Sequence, residues 1–237
     1  MREAVNKSDK EIPMKKLLFP LAAAAALTAT AGIAHADVAL YAKGGTLGLG
    51  AGVGFTLTDT LNARVGYNAY TFDKDIDETD VSYDGEIKFK SGELLLDWHP
   101  FNGSFRVTAG AYLNKNEING SAKPSNGTYE INDVTYNAAD VGRLDANIDF
   151  KNVSPYIGIG WGNFLDKDGH FTFTTDIGAL YQGSPNVHAR VTCGAGLSSG
   201  DCAQLNSDVA AEAKDLEQEI DSYKWWPVLS IGLAYRF

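Results

Sequence analysis

The 237-residue chain reads as an all-β protein: an up-and-down antiparallel transmembrane β-barrel of about eight strands, with one short helix in its last long loop. Three observations predict this. Stretches of roughly ten residues alternate apolar and polar side chains, and the connections between them alternate short and long. The closing stretch puts Leu229, Ile231, Leu233, Tyr235 and Phe237 on one face and Ser230, Gly232, Ala234 and Arg236 on the other. The chain also opens on an export signal. Met14-Lys15-Lys16 precedes an apolar run from Leu17 to Ala26, and Ala34-His35-Ala36 is a small-x-small cleavage site before Asp37.

Residues 1–13 precede an ordinary start at Met14 and read as an over-long extension outside the fold; 14–36 read as a signal peptide and 37–237 as the barrel. An uncleaved anchor helix is the alternative for the apolar run. Pro20 interrupts that run, and it falls short of the about 20 apolar residues a spanning helix needs. Cleavage removes five of the 20 basic and three of the 30 acidic residues, which leaves 15 against 27, a net charge of −12. Such an acidic chain lacks the basic surface that nucleic-acid binding requires.

The strands follow in order. Val38 to Lys43 is short, and it is needed to make the strand number even. Thr46 to Leu57 places Leu47, Leu49, Ala51, Val53, Phe55 and Leu57 on one face, opposite Gly48, Gly50, Gly52 and Gly54. A turn at Thr58-Asp59 leads to Leu61, Ala63, Val65, Tyr67 and Ala69, with Arg64 on the other parity. In the next strand Ile87 and Phe89 are odd-numbered but Leu94, Leu96 and Trp98 are even; a bulge near Ser91-Gly92 would restore the apolar face. Alternation returns in Phe105 to Leu113, Ile157 to Trp161, Phe171 to Tyr181 and the closing strand. The long connections are 73–84, 114–145 and 183–223.

Trp98, Phe101, Phe105, Trp161, Phe164, Phe171, Tyr235 and Phe237 lie near the short turns. Tyr70, Phe72, Tyr83, Tyr181, Trp225 and Trp226 lie near the long loops. Two such girdles suit the two membrane–water boundaries, whereas a soluble lipocalin-like barrel would hold its aromatics inside. Ser207 could cap a helix carrying Val209, Ala213, Leu216 and Ile220 on one face. The helix is acidic, unlike a Lys/Arg-rich membrane-surface helix, and its loop position suggests that it caps or plugs the outer mouth. Cys193 and Cys202 share one Gly/Ser-rich segment; in an oxidising compartment a disulfide is expected, with a metal pair as the weaker alternative.

Gly45-Thr46-Leu47-Gly48-Leu49-Gly50, Leu94-Leu95-Leu96-Asp97-Trp98-His99-Pro100-Phe101, Pro155 to Asn163 and the Ala234-Tyr235-Arg236-Phe237 end resemble a proteobacterial outer-membrane β-barrel family, similar in plan to OmpW and to the membrane domain of OmpA. The resemblance covers nearly the whole mature chain. It implies a Gram-negative outer-membrane location, lipid and lipopolysaccharide as surroundings, and a closing strand (Leu229, Ile231, Leu233, Tyr235, Phe237) read by the barrel-assembly machinery. It implies no particular substrate.

In a barrel the functional face is the lumen. Polar parity places Arg64, Glu93, Asp97, Arg106 and Asp176 there at membrane depth, with Glu86, Lys88 and Lys90 higher up. These charges either pair into a filled, closed interior or form the gate of a narrow path. The glycine rows 48–54 and 158–162 leave room on the inner wall, for a path or for Tyr70, Tyr112, Tyr156 and the arginines. Asp73, Asp75, Asp77 and Asp84 match an EF-hand-like count, but Glu78 stands where that loop needs glycine; a solvated acidic loop, or one bridged by divalent cations to lipopolysaccharide phosphates, are the readings. The scattered histidines make no metal set. No Gly-x-Ser-x-Gly, P-loop or dinucleotide fingerprint is present, and His188 is the sole histidine in the outer half. An enzyme and a cofactor are therefore not expected. The expected function is that of a structural, surface-exposed barrel or a narrow porin-like pore for a small solute. The alternative is an adhesion or receptor barrel that binds through its long acidic loops.

Overall fold

The structure, a computed structural model, describes residues 37–77, 81–124, 127–163 and 170–237; the extension, the signal segment, Glu78 and Phe164 lie outside them. The elements are β1 (Val38–Gly45), β2 (Gly48–Thr58), β3 (Leu61–Asp77), β4 (Val81–Trp98), β5 (Phe105–Asn114), β6 (Glu117–Pro124), β7 (Thr128–Ile131), β8 (Val134–Asn137), α1 (Ala138–Val141), β9 (Arg143–Asp149), β10 (Val153–Trp161), β11 (Phe171–Tyr181), β12 (Asn186–Thr192), α2 (Ser199–Ile220) and β13 (Trp225–Arg236). Eight strands close a ring in the order β1, β2, β3, β4, β5, β10, β11, β13, every neighbouring pair antiparallel and β13 returning to β1. The short first strand is real. It pairs along its length with both β2 and β13 and forms the seam.

Alternation gives each strand one face to the lumen and one to the outside, and the polarity is inverted relative to a soluble protein. Phe173 and Ile231 on the outside are 83% and 72% exposed, while Asp97 and Arg106 are 0% exposed within. Only a lipid solvent makes that arrangement favourable, and a closed ring leaves no backbone edge unpaired in it. The β4–β5 ladder pairs eight residues, Ser91↔Asn114 to Trp98↔Val107, and the β5–β10 ladder nine, Leu113↔Val153 to Phe105↔Trp161, close to the about 9–11 residues that a tilted membrane-spanning strand needs.

Several expectations need correction. No bulge interrupts β4: its register with β3 is continuous from Leu61↔Trp98 to Asp77↔Ser82, and it keeps step as its partner changes from β5 to β6. The apolar parity switches because the surroundings do. Within the membrane the outward face meets lipid; above it the outward face meets water. Glu86, Lys88 and Lys90 consequently sit on the outward face, not in the lumen, and Glu86 pairs with Lys88. The three long connections hold much regular structure. The acidic segment is the β3–β4 hairpin, with Asp75 opposite Asp84 and Asp73 opposite Glu86. The other two supply β6, β9 and β12, which extend the upper parts of β3 and β4 into a five-stranded sheet.

Helix α2 begins at Ser199, earlier than expected, because Ser198 is the cap and its hydroxyl accepts from the Asp201 amide. It lies along β12 rather than over the mouth. Glu217 and Asn206 accept from the Val187 and Val191 amides, so its side chains cover the sheet's free edge. Leu205, Val209, Val141 and Val191 pack together there, and Leu216, expected on the packed face, is exposed. Cys193 and Cys202 are disulfide-bonded, with Cα atoms 5.9 Å apart, and tie the end of β12 to the helix. The β7–β8 hairpin turns at Asn132-Asp133, both at positive φ, as a tight two-residue hairpin requires. The first short turn is Asp59-Thr60, one residue later than expected.

The lower girdle holds two strings of ring contacts, Phe101–Phe105–Trp161 and Phe171–Tyr235–Phe237. The upper one is thinner than expected. Tyr181 stacks edge-on against Trp225, but Trp226 packs against the lumen cluster and Phe89.

Candidate functional site

The lumen is crossed by two layers of side chains. The lower layer is ionic. Arg64 on β3 reaches Asp97 (Nε to Oδ2 2.6 Å, Nη2 to Oδ1 2.8 Å) and donates from Nη2 to Asp176 Oδ1 at 3.1 Å. Arg106 on β5 donates to Asp176 Oδ1 at 2.8 Å and to the carbonyls of Trp161, Gly162 and Thr175. Thr108 donates to Asp97 at 2.6 Å and Ser230 to Asp176 at 3.2 Å. Strands β3 and β11 stand four places apart either way round the ring, so the Arg64–Asp176 pair spans a diameter.

Of the five expected charges, Arg64, Asp97, Arg106 and Asp176 meet in this network. Glu93 lies in a neighbouring one, where it accepts from Tyr41 Oη at 2.6 Å, Lys43 Nζ at 2.6 Å and Asn68 Nδ2 at 3.0 Å. Lys43 and Tyr41 complete this network without a strong signal in the sequence. Both lie in the weakly patterned β1, and the signal for them was the odd parity they share with buried Ala39. With Lys43 counted, three buried cations face three buried carboxylates. The charge therefore balances, as a low-dielectric interior demands.

Above the ionic layer the lumen holds an apolar cluster beside the Glu93 network, which reaches the same level: Glu93 is paired with Tyr112 in the β4–β5 register, and Lys43 Nζ lies 5.8 Å over the Tyr112 ring. Leu47, Leu95, Tyr112, Tyr156, Leu180 and Val228 form one buried cluster with Trp226 against it. Leu47 was expected on the lipid face. It instead belongs to the β1–β2 turn, where Gly48 at φ 93° swings the chain so that Leu47 closes over the lumen.

The wall glycines make room for side chains rather than for a path. A Cβ at Gly52 would stand 2.4 Å from the Tyr41 hydroxyl; at Gly50, 2.1 Å from Asn68 Oδ1; at Gly158, 2.3 Å from the Tyr156 hydroxyl; at Gly160, 3.0 Å from the Arg106 guanidinium. At the lower mouth His99 Nδ1 donates to the Gly103 carbonyl at 2.9 Å, which leaves Nε2 to accept from Asn62 at 3.2 Å. Among the described residues no group of three His, Cys, Asp or Glu is placed to hold a metal.

A closed eight-stranded ring, apolar outside, polar and filled inside, decides the class. The chain is a membrane-spanning β-barrel. Its fold is similar to that of Acinetobacter baumannii CarO2, with 22% identity over 85% of this chain and 98% of that one and a TM-score of 0.54. It is also similar to that of Acinetobacter baumannii CarO, with 21% identity, the same shares and a TM-score of 0.53. A major outer membrane protein from Thermus thermophilus aligns at 16% identity over 86% of this chain and 100% of that one, with a TM-score of 0.44. No protein-family model and no curated protein matches the chain.

Proposed function

We propose that this outer-membrane barrel works as a closed anchor that presents its five-stranded sheet and helix at the cell surface, and not as a solute pore. The observation that carries the reading is the double closure of the lumen, by the diametric Arg64–Asp176 network below and the Leu47–Leu95–Tyr112–Tyr156–Leu180–Val228 layer above. In this reading Arg64, Glu93, Asp97, Arg106 and Asp176 lock the strands at their register instead of selecting ions. An eight-stranded ring is just wide enough for side chains to fill it, and the balanced charges leave no net field to draw an ion through. Leu229, Ile231, Leu233, Tyr235 and Phe237 serve as the face offered to the assembly machinery, and lipid with lipopolysaccharide covers the belt. The size and regularity of the surface sheet favour a binding role for it over a purely structural one.

Single-channel recording in planar bilayers tests this. The refolded protein is expected to give no steady conductance, and Arg64→Ala or Arg106→Ala none either, because the apolar layer above stays shut. A steady channel from the unmodified protein overturns the reading.

A further inference from the structure

The surface sheet has one polar and one apolar face, and a trough runs across the apolar one. Strand register aligns Lys74, Gly85, Gly120, Ala146 and Ala189 in a single row across β3, β4, β6, β9 and β12. The row below it is Phe72, Ile87, Ile118, Ile148 and Val187; the row above it includes Ala122, Leu144 and Val191. A floor of small residues between two aliphatic walls makes a groove one residue wide, of about 440 Å³, within the usual range for ligand pockets.

The glycines here differ from those of the lumen. A Cβ at Gly120 meets nothing within 4 Å, and one at Gly85 meets only the Lys74 carbonyl oxygen, at 3.6 Å. Among the described residues, no side chain takes the space they leave. Phe72 and Ile118 on the lower wall are exposed above the membrane band, at 48% and 39%, where the lipid that covers the belt does not reach. Apolar surface of this kind, left in water beside a floor kept clear, marks an interaction site.

The two ends of the row define the occupant. At β12 the trough stops, because Ala189 is packed into the cluster of Leu205 and Val209 under α2. At β3 it opens on Lys74. Asp84 and Ser121, which border the groove, fall in the alternate row and by strand alternation belong to the opposite face. From Lys74 to Ala146 the open floor crosses four strands, β3, β4, β6 and β9, roughly 14 Å at about 4.8 Å per strand. An apolar slot that is blind at one end and cationic at the other is complementary to an unbranched hydrocarbon chain with an anionic head. We propose that this trough binds a free long-chain carboxylate, its chain along Gly85, Gly120 and Ala146 and its head at the Lys74 ammonium. The inference rests on the closed-anchor reading, in which the sheet is the working surface.

The test uses the full chain in phosphatidylcholine nanodiscs, titrated with dansyl-labelled undecanoate against empty nanodiscs. Saturable fluorescence that laurate displaces is expected. Gly120→Leu builds into the trough from a Cβ position that meets nothing within 4 Å, on the surface sheet and away from the barrel, so barrel migration on unheated gels stays normal while affinity falls by about tenfold or more. Lys74→Gln weakens binding, and dodecylamine displaces the probe poorly. No saturable signal above empty nanodiscs, unchanged affinity in Gly120→Leu, or equal displacement by dodecylamine overturns the proposal. So does a dimer that Gly120→Leu dissociates while the probe signal is unaltered, since the face would then join two copies of the chain. A conductance failure of the anchor reading and a binding failure here are read in separate assays.

Discussion

Replacing Lys43 by methionine isolates the energetic role of the buried charges. Lys43 Nζ lies 2.6 Å from Glu93 Oε2, and the two side chains are 7% and 0% exposed. At that separation and an effective dielectric of about 20 the attraction is about 6 kcal/mol before desolvation. Methionine keeps the length and apolar stem and removes only the charge. Glu93 retains the Tyr41 hydroxyl and the Asn68 amide but loses its nearest cation, and a buried carboxylate stripped of its partner costs about 3–5 kcal/mol. Adding Glu93→Gln removes the stranded charge, so the double variant is expected to recover at least about half of that loss. Urea unfolding of vesicle-reconstituted protein, followed by tryptophan fluorescence and by gel migration without heating, measures both. A single-variant loss below about 1 kcal/mol, the level of an exposed pair, refutes the reasoning. A double variant no more stable than the single does so too.

Three further outcomes are expected. Gly158→Ala puts a methyl 2.3 Å from the Tyr156 hydroxyl and should slow folding into vesicles and destabilise the barrel by about 1–3 kcal/mol; adding Tyr156→Phe should return part of it, and no return would mean that the hydroxyl is not the obstacle. Asp208 on α2 is buried and accepts from Tyr136, Asn132 and Gln204. The Tyr136 hydroxyl above all holds its carboxyl below the usual range. A depressed folded-state value means the helix–hairpin tie is fully present above the ordinary carboxylate range and is lost as pH falls through the folded value, while Tyr136, pushed up to about 12, keeps its proton well into alkali. Protection of the Val134–Asn137 amides, measured relative to their intrinsic exchange rates at each pH, should therefore fall only in acid, and Asp208→Asn should blunt that dependence. Reducing the Cys193–Cys202 bond, which closes a short loop worth up to about 3 kcal/mol, should open residues 193–202 to proteolysis while the barrel's gel migration stays unchanged; a shift of the barrel itself would show that the disulfide supports more than the surface sheet.

Legibility followed the physical origin of each feature. The eight barrel strands were readable because each one meets two solvents, and a period-2 pattern records that directly. Even the weak β1 was demanded by the parity of the strand count. Errors clustered where the solvents change. On β4 the apolar parity moved from Leu94 and Leu96 to Phe89 and Ile87, which mimicked a bulge and misplaced Glu86, Lys88 and Lys90 into the lumen. At Leu47 a glycine at positive φ ended the strand sooner than the pattern did. The strands β6, β9 and β12 look like loop in the sequence because their outward faces are as polar as loops and their inward faces use alanine and glycine beside isoleucine. Four of the five expected lumen charges meet in one network, but Lys43 and Tyr41 were missed, since Glu93 is about 50 positions from either in sequence and only the ring brings them together.

The sequence by itself determined the inside-out barrel, its strand periodicity and the polarity of each face. These are local properties, decided by what each residue's own side of the strand touches. The tertiary structure decided which lumen charges pair, that glycine space is filled in the barrel and open at Gly85 and Gly120, and that the long connections build a sheet with a groove. Those depend on strand order and register, which place residues far apart in the chain, Arg64 and Asp176 among them, within hydrogen-bond reach. No one-dimensional pattern contains that distance.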